Sequence, residues 1–507
     1  MNSLAFASLV RIQLARVELA QSFEVGIIQI TPVPDLNNPD GERLGELALA
    51  CVHLKRNLDT ANEISHVFHL PALLQVSGET LAARAAAWAE KVADSEAQLA
   101  ANQREIDEIA FRLYGIEGST VVSSQVPGGS EGVEHDEDDD SETLPPDNRL
   151  LTTAFISYLV GLPFGRWDIR YATGERTAPE LPDPFAPLPV YSPGMLQPVV
   201  SSQVPVVSSQ WSVGSEDKGK LGTDHWPLTI LVDDPGHAED IEGRVREVIR
   251  VVGGGQWAVG NQDNVSNTEL PPDHWQLTTD RIEQEACEIL GVTSLREYLR
   301  RPAGFFADHL SRYSKSRRQA PIYWPLAVGS TYTIWLYYHH LTDQTLYRCV
   351  NDFIDPKLNI VNDQWSVSSS KSGRTAREEK ELEYLRDLIR ELTELRAEIL
   401  RVAVFWKPNL NDGVQISAAP LWRLFQHKPW QKKLKATWES LERGDYDWAQ
   451  LAYSLWPARV REKCKTDKSL SIAHGLEEMY VEVTPTKAKR GKKKPVATED
   501  EGMFGGE

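Results

Sequence analysis

The residues whose chemistry stands out are cationic. Arg300-Arg301 is followed by Arg312-Tyr313-Ser314-Lys315-Ser316-Arg317-Arg318, and between Arg300 and Pro325 six Lys/Arg meet one acid, Asp308, a local charge of +5. Guanidinium groups interleaved with hydroxyls suit phosphate oxygens, which accept from both. Arg312, Lys315, Arg317 and Arg318 are therefore candidate contacts to the backbone of double-stranded DNA. The four span seven positions, about two helical turns, so a helix alone cannot aim them all one way. The turn before Pro321 is expected to present Arg317 and Arg318 apart from Arg312 and Lys315. A solvated helix face is the other reading of the same residues.

No other constellation stands up from spacing. Tyr338-His339-His340-Leu341-Thr342-Asp343 offers two imidazoles and a carboxylate, but adjacent strand residues point to opposite faces, which argues against a shared metal. Gly253-Gly254-Gly255 lacks the spacing of a phosphate loop, and GxGxxG, GxxxxGK[ST], HExxH and GxSxG are absent. The four cysteines, Cys51, Cys287, Cys349 and Cys464, are 236, 62 and 115 positions apart. They give neither a zinc pair nor a disulfide framework, which fits a reducing compartment. No catalytic, cofactor-binding or metal-ligating residue is assigned.

The 507 residues suffice for several domains, and 41% apolar with 25% charged residues excludes a wholly disordered, collagenous or rod-like chain. No window holds eighteen uninterrupted apolar residues and the N-terminus does not read as a secretory signal, so a cytoplasmic location with no membrane partner is expected. The net charge of -19 is uneven: eight acids between Glu131 and Glu142 account for much of it and leave -11 elsewhere. A global charge bears on solubility and a local patch on partners, so the acidic total does not exclude DNA.

Related words recur along the chain: Val121-Val122-Ser123-Ser124-Gln125, Ser208-Ser209-Gln210-Trp211-Ser212-Val213, Gln256-Trp257-Ala258-Val259 and Gln364-Trp365-Ser366-Val367. A second word follows three of them, at Leu144 to Asp147, Thr223 to Thr229 and Leu270 to Asp280, with gaps of 22, 14 and 17 residues from the glutamine to Asp147, Asp224 and Asp273. A stacked solenoid needs a fixed period. Variable gaps between fixed ends instead suit in-frame insertion of a small inverted-repeat element; one codon choice for Ser-Ser-Gln-Trp-Ser-Val has a reverse complement that reads Leu-Thr-Thr-Asp, as at Leu277 to Asp280. Composition rich in Ser, Gly, Asp and Pro makes these segments disordered surface loops, with their tryptophans incidental.

The remaining chain reads as α+β and mainly α-helical, with helical hairpins and bundles, a small β-hairpin and several disordered insertions. The expected order is a segment over 1–38 with a helix at 3–21 and a strand at Phe23 to Ile30; a helical segment over 39–118; an insertion at 119–150; a helix and Pro-rich run over 151–198; an insertion at 199–229; a helix within 230–252; and an insertion at 253–279. Helices, among them one over Ser294 to Tyr313, the basic patch and the hairpin follow over 280–340. A helical hairpin occupies 341–404 with an insertion at 361–373, then a Trp-rich helical part over 405–482 and a disordered tail over 483–507. Two seams at alternating three- and four-residue spacing carry the longest helices: Ala85, Trp88, Val92, Ser95, Leu99, Asn102, Ile106, Ile109 and Leu113, and Leu385, Leu388, Leu392, Leu395, Ile399 and Val402.

The stretches LDTANEISHVFHLPALL, GRWDIRYATGE, LPDPFAPLPVYSPGML, FFADHLSRYSKSRRQAPIYWPL, YTIWLYYHHLTDQTLYRCVNDFIDPKL and GDYDWAQLAYSLWPARVREKC together resemble the C-terminal part of PglX-type adenine-specific DNA methyltransferases. These are phage-defence (BREX) relatives of type IIG restriction-modification enzymes. The resemblance covers nearly everything outside the insertions. It implies site-specific adenine-N6 methylation and S-adenosyl-L-methionine for a complete enzyme. The family's Asn-Pro-Pro-Tyr motif and glycine-rich cofactor loop are absent here. The chain is thus expected to begin near the end of the target-recognition domain, to lack the catalytic domain, and to work with a separately encoded catalytic half and other defence-system proteins. A non-catalytic remnant or interaction scaffold is the alternative.

Overall fold

The computed structural model describes residues 3–6, 9, 31–116, 147–189, 191–196, 228–256, 272–315, 318–371 and 373–481. Most of the expected 3–21 helix, all of the Phe23 to Ile30 strand, nearly all of the insertions at 119–150 and 199–229, much of that at 253–279, and the 483–507 tail lie outside the described residues. The fold is mainly α-helical with a small antiparallel sheet. Among the described residues no helix is long and apolar enough to cross a membrane. Two compact units are present, Met1–Trp438 and Glu439–Glu507.

In the first unit α1 (Pro39–Asp59) opens with Asn38 accepting from the Gly41 amide at 2.9 Å, Pro39 in the first turn and Asp40 and Glu42 at the positive end of the dipole. α2 (Leu81–Leu113) is capped by Thr80, which accepts from Ala83 N at 3.0 Å. Arg43 meets Glu105 and Arg112 meets Asp40, so the two helices run antiparallel. Of the nine expected α2 seam residues, Ala85, Trp88, Val92, Ser95 and Ile109 are buried and Leu99, Asn102, Ile106 and Leu113 are half-buried. α3 (Asn148–Gly161) is buried along nearly its whole length.

β1 (Ile230–Val232) is a strand where the sequence leads one to expect only helix; three apolar residues are too few to show alternation. α4 (Ile241–Gln256) and α5 (Pro272–Leu290) follow, so helix occupies both edges of the expected insertion at 253–279. The helix expected over Ser294 to Tyr313 is broken into α6 (Leu295–Arg300) and α7 (Phe305–Arg312). Pro302 cannot donate and drives Arg301 extended, at φ -66° and ψ 130°.

Next come β2 (Ser314–Lys315), β3 (Arg318–Gln319), β4 (Tyr323–Leu326) and β5 (Ile334–Tyr337). The expected hairpin is β4–β5, and β1 completes a sheet of order β1-β5-β4, with Leu231 opposite Trp335 and Trp324 opposite Leu336. Central β5 is buried at every position. Aromatics cover the sheet: Phe305 of α7 meets Trp335 of β5 edge-on at 5.6 Å, and Phe164, in the turn after α3, stacks on Tyr323 of β4 at 5.3 Å.

A π-helical stretch, Cys349–Ile354, leads into α8 (Asp355–Ser369); Pro356 has no amide for the carbonyl four residues back, and the widened turn absorbs that loss. α8 pairs with α9 (Ala376–Ala403), whose six expected seam residues are all buried and whose start carries a Thr375–Glu378 capping box. The segment 361–373, expected as a disordered insertion, is helical through Ser369. Residues 361–369 contain neither Gly nor Pro, so α8 simply extends, and Arg374 donates to the Ser369 carbonyl at 3.0 Å. The addition still lies beyond the core, since 362–367 are exposed.

α10 (Lys428–Arg443) spans the division between the units. Within the second unit α11 (Gln450–Leu455), α12 (Pro457–Cys464) and α13 (Lys468–Ala473) bring Val460, Cys464 and Leu470 together. Asp447 anchors them through Arg459 and Lys463, both at 2.6 Å.

Candidate nucleic-acid interface

The basic cluster does not form one helix face. α7 ends at Arg312, and the chain turns back on itself as a two-stranded ribbon in which Lys315 pairs with Arg318 and Ser314 with Gln319. The Ala320 amide donates to Tyr313 O at 2.9 Å and closes the base of the ribbon. Ser314 Oγ donates to Leu310 O at 2.5 Å and ties β2 to α7. Lys315 and Arg318 are exposed, and neither has an ion-pair partner among the described residues. Arg317, with Ser316, lies outside the described residues.

Arg312 points the other way. Its side chain is 15% exposed, with Nη1 3.6 Å from Glu63 Oε2 and Nη2 donating to Thr153 Oγ1 at 2.9 Å. The expectation of a phosphate contact here gives way to an internal one, because a carboxylate from a distant segment is available to a guanidinium beside the core. Arg300 is likewise held, 2.5 Å from Asp233, while Arg301 is exposed and meets Glu297 at 3.2 Å.

Beneath the ribbon sits a buried polar cluster. Glu63 Oε1 accepts from Arg166 Nη1 and from the Tyr313 hydroxyl, each at 2.7 Å. The Arg166 guanidinium lies 4.0 Å from the centre of the Trp167 ring. His309 is fully buried, and its Nε2 accepts from the amides of Ile322 at 2.9 Å and Tyr323 at 3.2 Å. Burial, helped by nearby Arg312 and Arg166, holds its imidazole well below the usual range and therefore neutral. Burial pushes the Tyr313 hydroxyl well up, so it stays a donor to Glu63. Sequence reasoning missed Glu63 and Arg166; no local signal marks them, since each lies among other polar and charged residues and its partners are more than 100 positions away.

His339 and His340 occupy a short 3₁₀ turn, Tyr338–His340, after β5. A cleft of about 330 Å³ opens beside Arg301, Phe306, Gly329, Glu391 and His427. Its carboxylate is already engaged, Glu391 accepting from Thr331 N at 3.1 Å and from the Thr331 hydroxyl. A Cβ on Gly329 would fall 2.0 Å from that carboxylate, so a larger residue there would require the Glu391 side chain to move.

No protein-family model matches the chain. Part of it is similar to the adenine-specific methyltransferase BrxX of Escherichia coli O9:H4 (strain HS), 26% identical over 204 residues. The match takes in 37% of this chain and 15% of the length of that protein. The similarity supports a methyltransferase-like relationship.

Proposed function

We propose that this chain is a duplex-DNA-binding, specificity-conferring portion of a site-specific adenine-N6 methyltransferase of the PglX type, serving a phage-defence or restriction-modification system alongside a catalytic half encoded elsewhere. The observation that carries this reading is the exposed Lys315–Arg318 pair on a ribbon whose root is buried, in a chain similar to an adenine-specific methyltransferase. A two-stranded ribbon fits a DNA groove, and cations at its tip find phosphates.

S-adenosyl-L-methionine belongs, on this reading, to the complete enzyme. Gly253-Gly254-Gly255 offers it no cradle: the run lies in the final turns of α4, not in a strand-to-helix loop, and its backbone follows the helix. No step of methyl transfer is assigned to these residues.

The test is duplex binding by the full chain across a salt series. Binding is expected to weaken as salt rises, and Lys315→Ala/Arg318→Ala is expected to flatten the slope of log K against log salt by about 1.8, about 0.9 per phosphate contact. Unchanged affinity and slope in that variant would overturn the reading. An interaction scaffold is the second reading, favoured by the exposed Ile360 and Val367 seven positions apart on α8; it requires no salt-dependent DNA binding.

A further inference from the structure

We propose that the outer face of α10 is a second phosphate-binding surface, continuing the ribbon and engaging the same DNA duplex; this rests on the duplex-binding reading above. Between Asp412 and Glu439 the sequence contains no acid but holds Arg423, Lys428, Lys432, Lys433 and Lys435. The run 309–342, which carries the ribbon, is likewise acid-free and holds four cations, so the two stretches share a basic character; of the five cations here, Arg423 meets Glu398 at 3.7 Å.

The helix sorts these residues by face. Trp430, Leu434 and Thr437 are buried, whereas Lys428, Lys432 and Lys435, at i, i+4 and i+7, are exposed on the opposite side. The Lys435 ammonium lies 5.4 Å from the centre of the Trp422 ring, which helps hold that side chain in place. Lys433 sits on the flank, its Nζ 3.1 Å from Gln319 Oε1. Gln319 directly follows Arg318 in β3, so the helix and the ribbon are joined at that contact.

Helix stability does not account for this arrangement. Lys428 stands at the positive end of the dipole, where a cation is disfavoured. Lys428 and Lys432 are like charges four residues apart, which repel. A polyanion laid along the face relieves both. The regular negative charge of a duplex backbone is such a polyanion and is the one the neighbouring ribbon is read to bind.

The experiment compares the full chain with Lys428→Gln/Lys432→Gln/Lys435→Gln in duplex binding from about 50 to 200 mM salt, by fluorescence anisotropy. Lysine and glutamine have similar helix propensity, so unchanged circular dichroism is expected. Three lost contacts flatten the slope by about 2.7, so between those salt concentrations the variant loses about 40-fold less affinity than the parent chain. If the triple variant keeps the parent slope while the ribbon variant flattens it, the α10 face is not a DNA surface and the ribbon reading stands. If the parent chain shows no salt-dependent duplex binding, both fail. If the triple variant loses binding to poly-glutamate while its duplex binding is unaltered, the face serves an acidic protein and the proposal is overturned.

Discussion

Replacing Glu63 with glutamine tests whether the ribbon stands on a buried charge cluster. The Glu63 side chain is 3% exposed, Arg166 9% and Arg312 15%. The substitution keeps shape and an acceptor for Arg166 and Tyr313, but leaves two guanidinium charges in the interior without their anion. With charge centres about 4 Å apart and an effective dielectric of about 20, each pair attracts by about 4 kcal/mol before desolvation is counted. Because desolvation of the arginines is already incurred, removing the carboxylate is expected to lower stability by about 3–5 kcal/mol. Urea unfolding of Glu63→Gln, Arg312→Met and the double variant forms the cycle. Arg312→Met should be the milder single change, since Glu63 keeps Arg166, and the double variant should lose less than the sum by about 1–3 kcal/mol. Additive losses, or a Glu63→Gln loss under about 1 kcal/mol, would refute the cluster as the anchor. The salt slope of DNA binding by Glu63→Gln should match the parent, because Lys315 and Arg318 remain.

Two further outcomes follow from the buried residues. The folded-state pKa of His309 lies well below its unfolded value, so the unfolded chain takes up a proton that the folded chain refuses. Stability should therefore fall as pH drops below about 6.5, by up to about 1.4 kcal/mol per pH unit; urea midpoints of His309→Gln should show a shallower decline than the parent between neutral and mildly acidic pH. Leu392, fully buried at the middle of the α9 seam, should lose about 2–5 kcal/mol on replacement with alanine, against a negligible change for exposed Arg386, measured by the same unfolding titration.

What was legible in the sequence is what local periodicity encodes. The α2 and α9 seams repeat their signal over many residues, so each position corroborates its neighbours, and the β4–β5 hairpin shows in two aromatic and β-branched runs joined by Val328-Gly329-Ser330. β1 has three residues and no period; only its place beside β5 makes it a strand. The α6–α7 break was written in Pro302 and Gly304, but the amphipathic pattern on either side of them masked it. The helical extension of α8 shows the converse, since a segment of inserted character took the structure its flanking helix offered once it lacked a breaker.

The candidate interface divides along the same line. Arg312 and Lys315 are three positions apart in one basic cluster, yet one is internal and the other exposed. Nothing local separates them. The difference is Glu63, whose carboxylate is reached by Tyr313 across 250 positions of sequence, and a contact at that separation has no period to announce it. Cation density alone therefore merges two roles: the arginine that anchors the ribbon and the residues the ribbon displays. The α10 lysines were passed over for the opposite reason. They lie beyond the densest window, and their mark is five cations with no acid between Asp412 and Glu439. An acid-free window removes only neighbours in sequence: Arg423 within it still meets Glu398 from α9 at 3.7 Å, just as Arg300 and Arg312 meet carboxylates from distant segments, so it is the exposure of Lys428, Lys432 and Lys435 on one helix face that selects the residues for a polyanion partner.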